Sequence, residues 1–318
     1  MQKRVAILYG GKSGEHFVSR RSALSVLKHL DRQRFEPVLI GITEEGKWHL
    51  QPSSDIDSQL VDAESSQLRI TESSDTVVNM RPAEGLFRGS DSLEIDVVFP
   101  VLHGTYGEDG TVQGLCELAG LPYVGAGVFA SSAGLDKDRC KAIWNEADLP
   151  TTPWMVVHEA DYEPSEVGGL AKRILDKCGF PAFVKPCRAG SSVGISRVPD
   201  ADALVAALAE AFKYDDRIMI EAEVTGREIE CSVVGNGSPR AYGPGEVKPH
   251  HEFYSYEAKY LDPDGAELMI PAPISETERR RVKAMAVAAY LALACEGMAR
   301  VDFFLEEDSG ALLLNEIN

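Results

Sequence analysis

Cationic charge is scarce in this chain: 32 Lys plus Arg stand against 50 Asp plus Glu in 318 residues, a formal net charge of −18. A polyanion needs a basic footprint, so nucleic-acid binding is excluded as a general role. No apolar run approaches the ~20 residues that cross a bilayer, and no membrane association is expected. Met1-Gln2-Lys3-Arg4-Val5 leads straight into a strand-like segment, without the apolar stretch and small-residue cleavage site of a signal peptide. The six cysteines (Cys116, Cys140, Cys178, Cys187, Cys231 and Cys295) are widely spaced, with no CxxC or CxxC-H, which argues against a zinc site or a disulfide framework. Reduced thiols in a cytosolic protein are expected. Internal repeats are also missing. What remains, 44% hydrophobic and 26% charged residues, is an ordinary globular composition with length for two or three domains.

The first third reads as an open α/β sheet. Val5–Tyr9 is an apolar run closed by Gly10-Gly11, a helix follows over about Ser13–Leu30, and Pro37–Ile42 and Ile95–Leu102 are long enough for buried parallel strands. Residues 51–92, rich in Ser, Asp and Glu, read as a long surface insertion of little functional content. A helix over Asp136–Ala147, with Ile143 and Trp144 inward, opens a smaller region. It continues with a helix near Leu170–Lys177, strands at Pro181–Lys185 and Gly194–Val198, a helix near Ala201–Tyr214 and a strand at Arg217–Glu221. Strands around Glu228–Val234, a polar loop from Pro249 to Asp264 and one long helix complete the pattern. That helix starts with Ser275-Glu276-Thr277-Glu278, a capping box.

The chain ends in a hairpin signal, with Ala299–Leu305 and Ala311–Asn318 flanking Asp308-Ser309-Gly310. A turn centred on Ser309 puts Asp302 opposite Glu316 and Arg300 opposite Asn318, all on one face. Two carboxylates ~5 Å apart repel by roughly 3 kcal/mol at an effective dielectric near 20. A hard divalent cation offsets that, and the oxygen-only set Asp302, Glu316 and Asn318 suits Mg²⁺ rather than Zn²⁺. The alternative is a solvated strand pair in which Arg300 neutralises both acids.

Lys185 ends a strand before Gly190-Ser191-Ser192-Val193-Gly194, whose backbone N–H groups can cradle phosphates; an ordinary hairpin loop is the other reading. Lys137 is a second phosphate candidate, or a surface charge. Gly10-Gly11-Lys12-Ser13-Gly14-Glu15 follows a strand and opens a helix, a place for an anion, yet it matches neither GxGxxG nor the P-loop spacing. Glu15 in such a place suits a zwitterionic amino acid with an ammonium group; it equally suits an acid stabilising the helix dipole. His103 leaves a strand end, where open α/β sheets bind ligands. His250-His251 lacks a third metal ligand and reads as polar loop.

Together, Gly10–Ser13 with Glu15, the segment from His103-Gly104 to Asp109-Gly110, Lys185 with Gly190–Gly194, Tyr256-Glu257-Ala258-Lys259-Tyr260, Arg300-Val301-Asp302 and Asn315–Asn318 resemble the D-alanine–D-alanine ligase family of the ATP-grasp superfamily, colinearly along the whole chain. The resemblance implies an α/β ATP-grasp fold in three domains: 1–125, 126–220 and 221–318, with ATP between the last two. It implies phosphorylation of one D-alanine carboxylate by ATP and attack by the amine of a second, in the cytoplasm, for peptidoglycan synthesis.

Residue by residue, it implies two Mg²⁺ ions, replaceable by Mn²⁺, on Asp302, Glu316 and Asn318, with Arg300 at the oxyanion. Lys137, Lys185 and Lys259 would contact nucleotide phosphates, Glu221 with the Glu223-Val224 backbone the adenine, and Glu228 the ribose, with Ser192 and Phe253 also in the nucleotide site. Glu15 would bind the first D-alanine, linked through Ser191 and Tyr260 to a lid around Phe253–Tyr260, with His103 near the substrate carboxylate. The Glu257–Tyr260 pattern resembles the dipeptide-forming members. Cys187-Arg188-Ala189, Phe17 and Arg20-Arg21 depart from the family pattern. Members normally continue past Asn318 with a glycine-containing loop and a helix, which implies a truncated chain. A homodimer is also implied. The alternatives are a catalytically silent nucleotide-binding protein, a sister ligase making D-alanyl-D-lactate or D-alanyl-D-serine, and a nicotinamide-dependent oxidoreductase resting on the N-terminal α/β pattern.

Overall fold

The computed structural model describes residues 2–52, 61–62, 67–250 and 265–318. They fall into two compact units, Met1–Ser132 and Ala133–Asn318.

The first unit runs β1 (Lys3–Gly10), α1 (His16–His29), β2 (Phe35–Ile42), β3 (Trp48–Leu50), β4 (Val61–Asp62), β5 (Gln67–Leu68), β6 (Val78–Arg81), β7 (Gly85–Arg88), β8 (Asp91–Ser92), β9 (Val97–Pro100) and α2 (Thr111–Ala119); α3 (Val128–Leu135) crosses into the second unit. Its main sheet has the order β3-β2-β1-β9, with β1 parallel to both β2 and β9. From Val5 onward β1 is buried without interruption, because both faces are covered: Ala6 and Leu8 join one core cluster, Val5, Ile7 and Tyr9 the other.

The segment read as a surface insertion is corrected here in its described part. β6, β7 and β8 form an antiparallel sheet, and Val78, Leu86 and Leu93 are buried in the same cluster as Ala6 and Leu8. Leu68 is fully buried in the cluster beneath α1, where the Arg20 Nε donates to the Leu68 carbonyl at 2.7 Å. Single apolar residues scattered among Ser and Asp carry these contacts, so no periodicity marks them.

The second unit continues with α4 (Lys137–Glu146), β10 (Trp154–His158), α5 (Val167–Lys177), β11 (Ala182–Pro186), β12 (Ser196–Val198), α6 (Leu204–Ala211), β13 (Arg217–Ala222), β14 (Gly226–Val234), β15 (Arg240–Pro249), β16 (Ala266–Met269), α7 (Glu276–Ala292), β17 (Met298–Glu306) and β18 (Leu312–Ile317). Two sheets result, β10-β13-β11-β12 and β16-β15-β14-β17-β18. The first packs on α5 and α6 through Leu170, Ile174, Leu204 and Leu208. Against the second lies α7, started by the expected capping box: the Ser275 side chain accepts from the Glu278 N–H and Glu278 accepts from the Ser275 N–H. Trp144 of α4 is fully buried and donates its ring N–H to the Ala289 carbonyl of α7 at 3.1 Å.

Candidate active site

In the second unit the site grows from the β17–β18 hairpin. Leu305 pairs with Leu312 and Phe303 with Leu314, but Asp302 pairs with Glu316 and Val301 with Ile317, so Asn315 is an extra residue in a bulge. Core positions on β18 accordingly run Leu312, Leu314, Ile317. Without the bulge, strict alternation after Leu314 would send Glu316 into the core. The turn therefore sits half a residue from the expected centre, and the bulge restores the expected pairing where the carboxylates lie. Arg300 and Asn318 exchange both backbone hydrogen bonds, at 2.7 and 2.8 Å.

Arg300 donates to both oxygens of Asp302 at 2.7 Å, and the Asn318 amide donates to Oδ2 at 3.0 Å. Across β14, Glu230 is in register with Asp302, placing three carboxylates (Glu230, Asp302, Glu316) in one row over three strands. Burial, opposed by Arg300 and reinforced by Glu230 and Glu316, pushes the Asp302 carboxyl up to about 7. Arg300, with the Lys137 ammonium 3.7 Å from Glu316, leaves the row of three carboxylates one positive charge short, and an added cation fits it. As placed, no group of three or more His, Cys, Asp or Glu among the described residues forms a ready metal cage. Two carboxylates and an amide suit a hard ion that takes its remaining ligands from phosphate oxygens and water.

Lys137 reaches the same hairpin. Its Nζ lies 3.7 Å from Glu316 Oε2 and donates to the Ala189 carbonyl at 2.7 Å, joining the carboxylate row to the glycine loop. Its backbone N–H donates to the Cys187 carbonyl at 3.0 Å. The first turn of α4 is held by Arg217 of β13, whose Nη1 donates to Asp136 at 2.6 Å and Nη2 to Asp138 at 2.5 Å. The loop beyond β11 is pinned by Arg188, which donates its backbone N–H to Asp215 Oδ2 at 2.8 Å and its Nη2 to Oδ1 at 2.6 Å. Arg188 is thus an anchor of the loop. Ser191 and Ser192 both adopt positive φ, +50° and +59°, turning successive backbone groups in a way that favours an anion nest.

Behind the loop, Lys185 ion-pairs with Glu221 Oε2 and Lys141 with Glu221 Oε1, where Thr152 also donates. The buried face of α4 is Lys137, Cys140, Lys141 and Trp144, a helical stripe whose two lysines serve both ends of the site. Burial would raise the Glu221 carboxyl, but Lys141 and Lys185 override it and hold it at about 2. Glu223 is engaged bidentately by Arg197 at 2.8 Å; Val224, just before β14, and Glu228, near its start, are both half-buried. Phe253, Lys259 and Tyr260, with the rest of the expected lid, lie outside the described residues.

In the first unit, Glu15 is buried at the N-terminal end of α1. Ser13 organises the turn: its hydroxyl donates to the His103 carbonyl at 2.6 Å and accepts from the Glu15 N–H at 3.2 Å. Gly104 has φ +69°, and a Cβ there would lie 2.7 Å from Glu15 Oε2, so glycine keeps this approach open. The His103 ring has Nε2 3.0 Å from Ser22 Oγ and Nδ1 3.6 Å from Glu108 Oε1. Gly11, Lys12, His103 and Tyr106 are among the walls of a cavity of about 900 Å³.

The motifs bring together Lys137, Lys185, Glu221, Asp302, Glu316 and Asn318 in one unit, and Glu15 with His103 in the other. They miss Lys141, Glu230 and Arg217. The i+4 spacing from Lys137 is the signal that points to Lys141, and Glu230 is signalled by its place two residues after Glu228 on a strand.

Two family models match the chain, one described as the D-ala D-ala ligase N-terminus over residues 4–126 and one as the D-ala D-ala ligase C-terminus over residues 143–318. The chain is 43% identical to the D-alanine–D-alanine ligase of Treponema denticola, across 99% of this chain and 86% of that one. It is 45% identical to the enzyme of Geobacillus thermodenitrificans, across 100% and 86%. Among solved structures, the D-alanine–D-alanine ligase from Coxiella burnetii matches with a TM-score of 0.83 at 34% identity, covering 100% of this chain and 84% of its own. The VanG D-Ala:D-Ser ligase from Enterococcus faecalis matches with a TM-score of 0.83 at 31% identity, covering 100% and 90%. With this sheet architecture, the matches give the ATP-grasp fold. The chain belongs to the D-alanine–D-alanine ligase family, enzymes that join two D-alanine molecules in a reaction dependent on ATP and Mg²⁺.

Proposed function

We propose that the chain ligates D-alanine through a D-alanyl phosphate. An oxygen of the first D-alanine carboxylate attacks the γ-phosphorus of ATP and ADP leaves; the amine of the second D-alanine then attacks the acyl carbon, the carbon–oxygen bond breaks and inorganic phosphate departs. The observation that carries this reading is Lys137, which touches both the glycine loop and Glu316 of the carboxylate row.

Two Mg²⁺ ions, with Mn²⁺ able to substitute, would be held by Asp302, Glu316 and Asn318. When bound they supply charge compensation for the β- and γ-phosphates. Lys137, Lys185 and Ser192 contact phosphate, with Lys259 added from the lid around Phe253. Glu221 and the Glu223-Val224 backbone face the adenine, and Glu228 the ribose. Arg300 stabilises the developing oxyanion; it lies 3.4 Å from Glu230, a second carboxylate to which it can turn when Asp302 takes up a cation. Glu15 receives the ammonium of the first D-alanine and His103 sits near its carboxylate. We place ATP between domains 126–220 and 221–318, and domain 1–125 before them. Exposed Leu118 and Phe129 in the first unit support a homodimer. No helix among the described residues is long and apolar enough to cross a membrane. The cytoplasmic setting we assign comes from the family resemblance and its peptidoglycan-precursor chemistry.

Oxygen-18 transfer tests the intermediate. D-Alanine labelled in its carboxylate should pass one labelled oxygen to the phosphate released; dipeptide formed with unlabelled phosphate would overturn the acyl-phosphate route.

A further inference from the structure

Lys141 has no role in the reading above, yet at 1% exposure it is the most deeply buried charged residue among those described. Its Nζ donates to Thr152 Oγ1 at 2.6 Å, pairs with Glu221 Oε1 and lies 5.6 Å from the centre of the Trp154 ring. Thr152, itself fully buried, donates to the same Oε1, while Lys185 pairs with Oε2. Two ammoniums therefore share one carboxylate where water is nearly excluded. A Lys185–Glu221 pair alone would already be neutral, and burying further charge without a counter-ion is costly. Burial pulls the Lys141 ammonium below the ordinary lysine range, and the Glu221 carboxylate opposes this; with both lysines charged the cluster carries one excess positive charge, a burden without an anion and an asset once one lies beside Lys185.

We propose that Lys141 is a positioning residue for the nucleotide. With Thr152 it holds Oε1 of Glu221, fixes the carboxylate and takes up part of its charge, so that the Lys185 ammonium stays available to a phosphate oxygen. The Trp154 ring, fixed by its N–H donation to Asp138 Oδ1 at 3.0 Å, adds a π-face that favours the charged Lys141. Without Lys141, Lys185 and Glu221 close into a neutral pair and the phosphate loses its electrostatic partner. The proposal rests on the ATP reading of this site.

Calorimetric titration of ATP into the full chain tests it, with wild type, Lys141→Gln and Lys141→Arg. Lys141→Gln should bind ATP about tenfold more weakly, with the KM for D-alanine nearly unchanged. Lys141→Arg keeps a positive charge beside Glu221 Oε1 and should stay within about threefold of wild type. A packing role would instead make the bulkier arginine the more damaging of the two. Thr152→Val keeps Lys141 and the side-chain shape; it frees the carboxylate to turn toward Lys185 and should weaken ATP about threefold. Unchanged ATP affinity in folded Lys141→Gln, a Lys141→Arg chain no better than Lys141→Gln, or, if Lys141→Gln does not fold, unchanged affinity in Thr152→Val, each overturns the proposal. A wild-type chain that binds no ATP would overturn the ATP reading itself, whereas wild type and Lys141→Gln binding equally well would overturn this inference alone.

Discussion

Replacing Arg217 by Met removes the guanidinium that bridges Asp136 and Asp138. All three side chains are only 13–17% exposed, with contacts of 2.6 and 2.5 Å. Asp136 is also the N-cap of α4, accepting from the Arg139 N–H at 3.2 Å, and Lys137 is the next residue. Breaking a buried ion pair by deleting one partner costs about 3–5 kcal/mol; residual exposure puts this case near 3 kcal/mol. For a unit of this size 1 kcal/mol moves the melting midpoint by ~2–4 °C, so a fall of ~6–12 °C is expected. Two uncompensated carboxylates then repel across the first turn of α4 and displace Lys137, so ATP affinity falls together with stability. Scanning calorimetry and ATP titration on the same sample check both. Adding Asp138→Asn should restore part of the Tm, because one of the two like charges disappears while an acceptor for the Trp154 N–H remains. A folded Arg217→Met chain with Tm within about 2 °C of wild type and unaltered ATP affinity would refute the reasoning.

Glu221 gives a pH signature. Against burial, Lys141 and Lys185 hold its folded pKa at about 2, below the ordinary 4.5, so its contribution to stability is complete above about pH 4.5 and is lost as pH falls toward 2; acid unfolding of Glu221→Gln should lack that limb. Glu316→Gln should weaken Mn²⁺ binding to the nucleotide complex by about tenfold or more in electron paramagnetic resonance titrations, with little change in metal-free Tm, since relief of the carboxylate row offsets the loss of Lys137's counter-charge. Gly104→Ala forces a Cβ to 2.7 Å from Glu15 Oε2 at φ +69°, and should raise the KM for D-alanine about tenfold while leaving ATP affinity unchanged. Steady-state kinetics separate the two.

Elements with one dominant periodic signal are legible in the amino-acid sequence. β1 is an unbroken apolar run, α4 carries a helical stripe, α7 has its capping box, and the hairpin opposes Asp302 to Glu316. β15 is not legible in the same way, because Gly243-Pro244-Gly245 reads as a turn, although flanking residues of the strand pair with β14. Strands β6 to β8 are hidden by their polar neighbours, since Val78 and Leu86 acquire meaning only against Ala6 and Leu8, some seventy positions earlier. Within the site, the i+4 spacing puts Lys141 on the same helix face as Lys137 but does not say what it faces. Only the sheet that carries Lys185 and Glu221 makes it a buried counter-charge. Glu230 shares a strand face with Glu228, but its pairing with Asp302 comes from cross-strand register, which the β14 segment by itself does not reveal.

Phosphate release from Mg-ATP, measured without amino acid, with L-alanine and with D-alanine, and with the product identified, bears most directly on the ligase assignment. D-Alanine-dependent phosphate accompanied by D-alanyl-D-alanine is the expected result. ATP binding with no phosphate release dependent on D-alanine would contradict it.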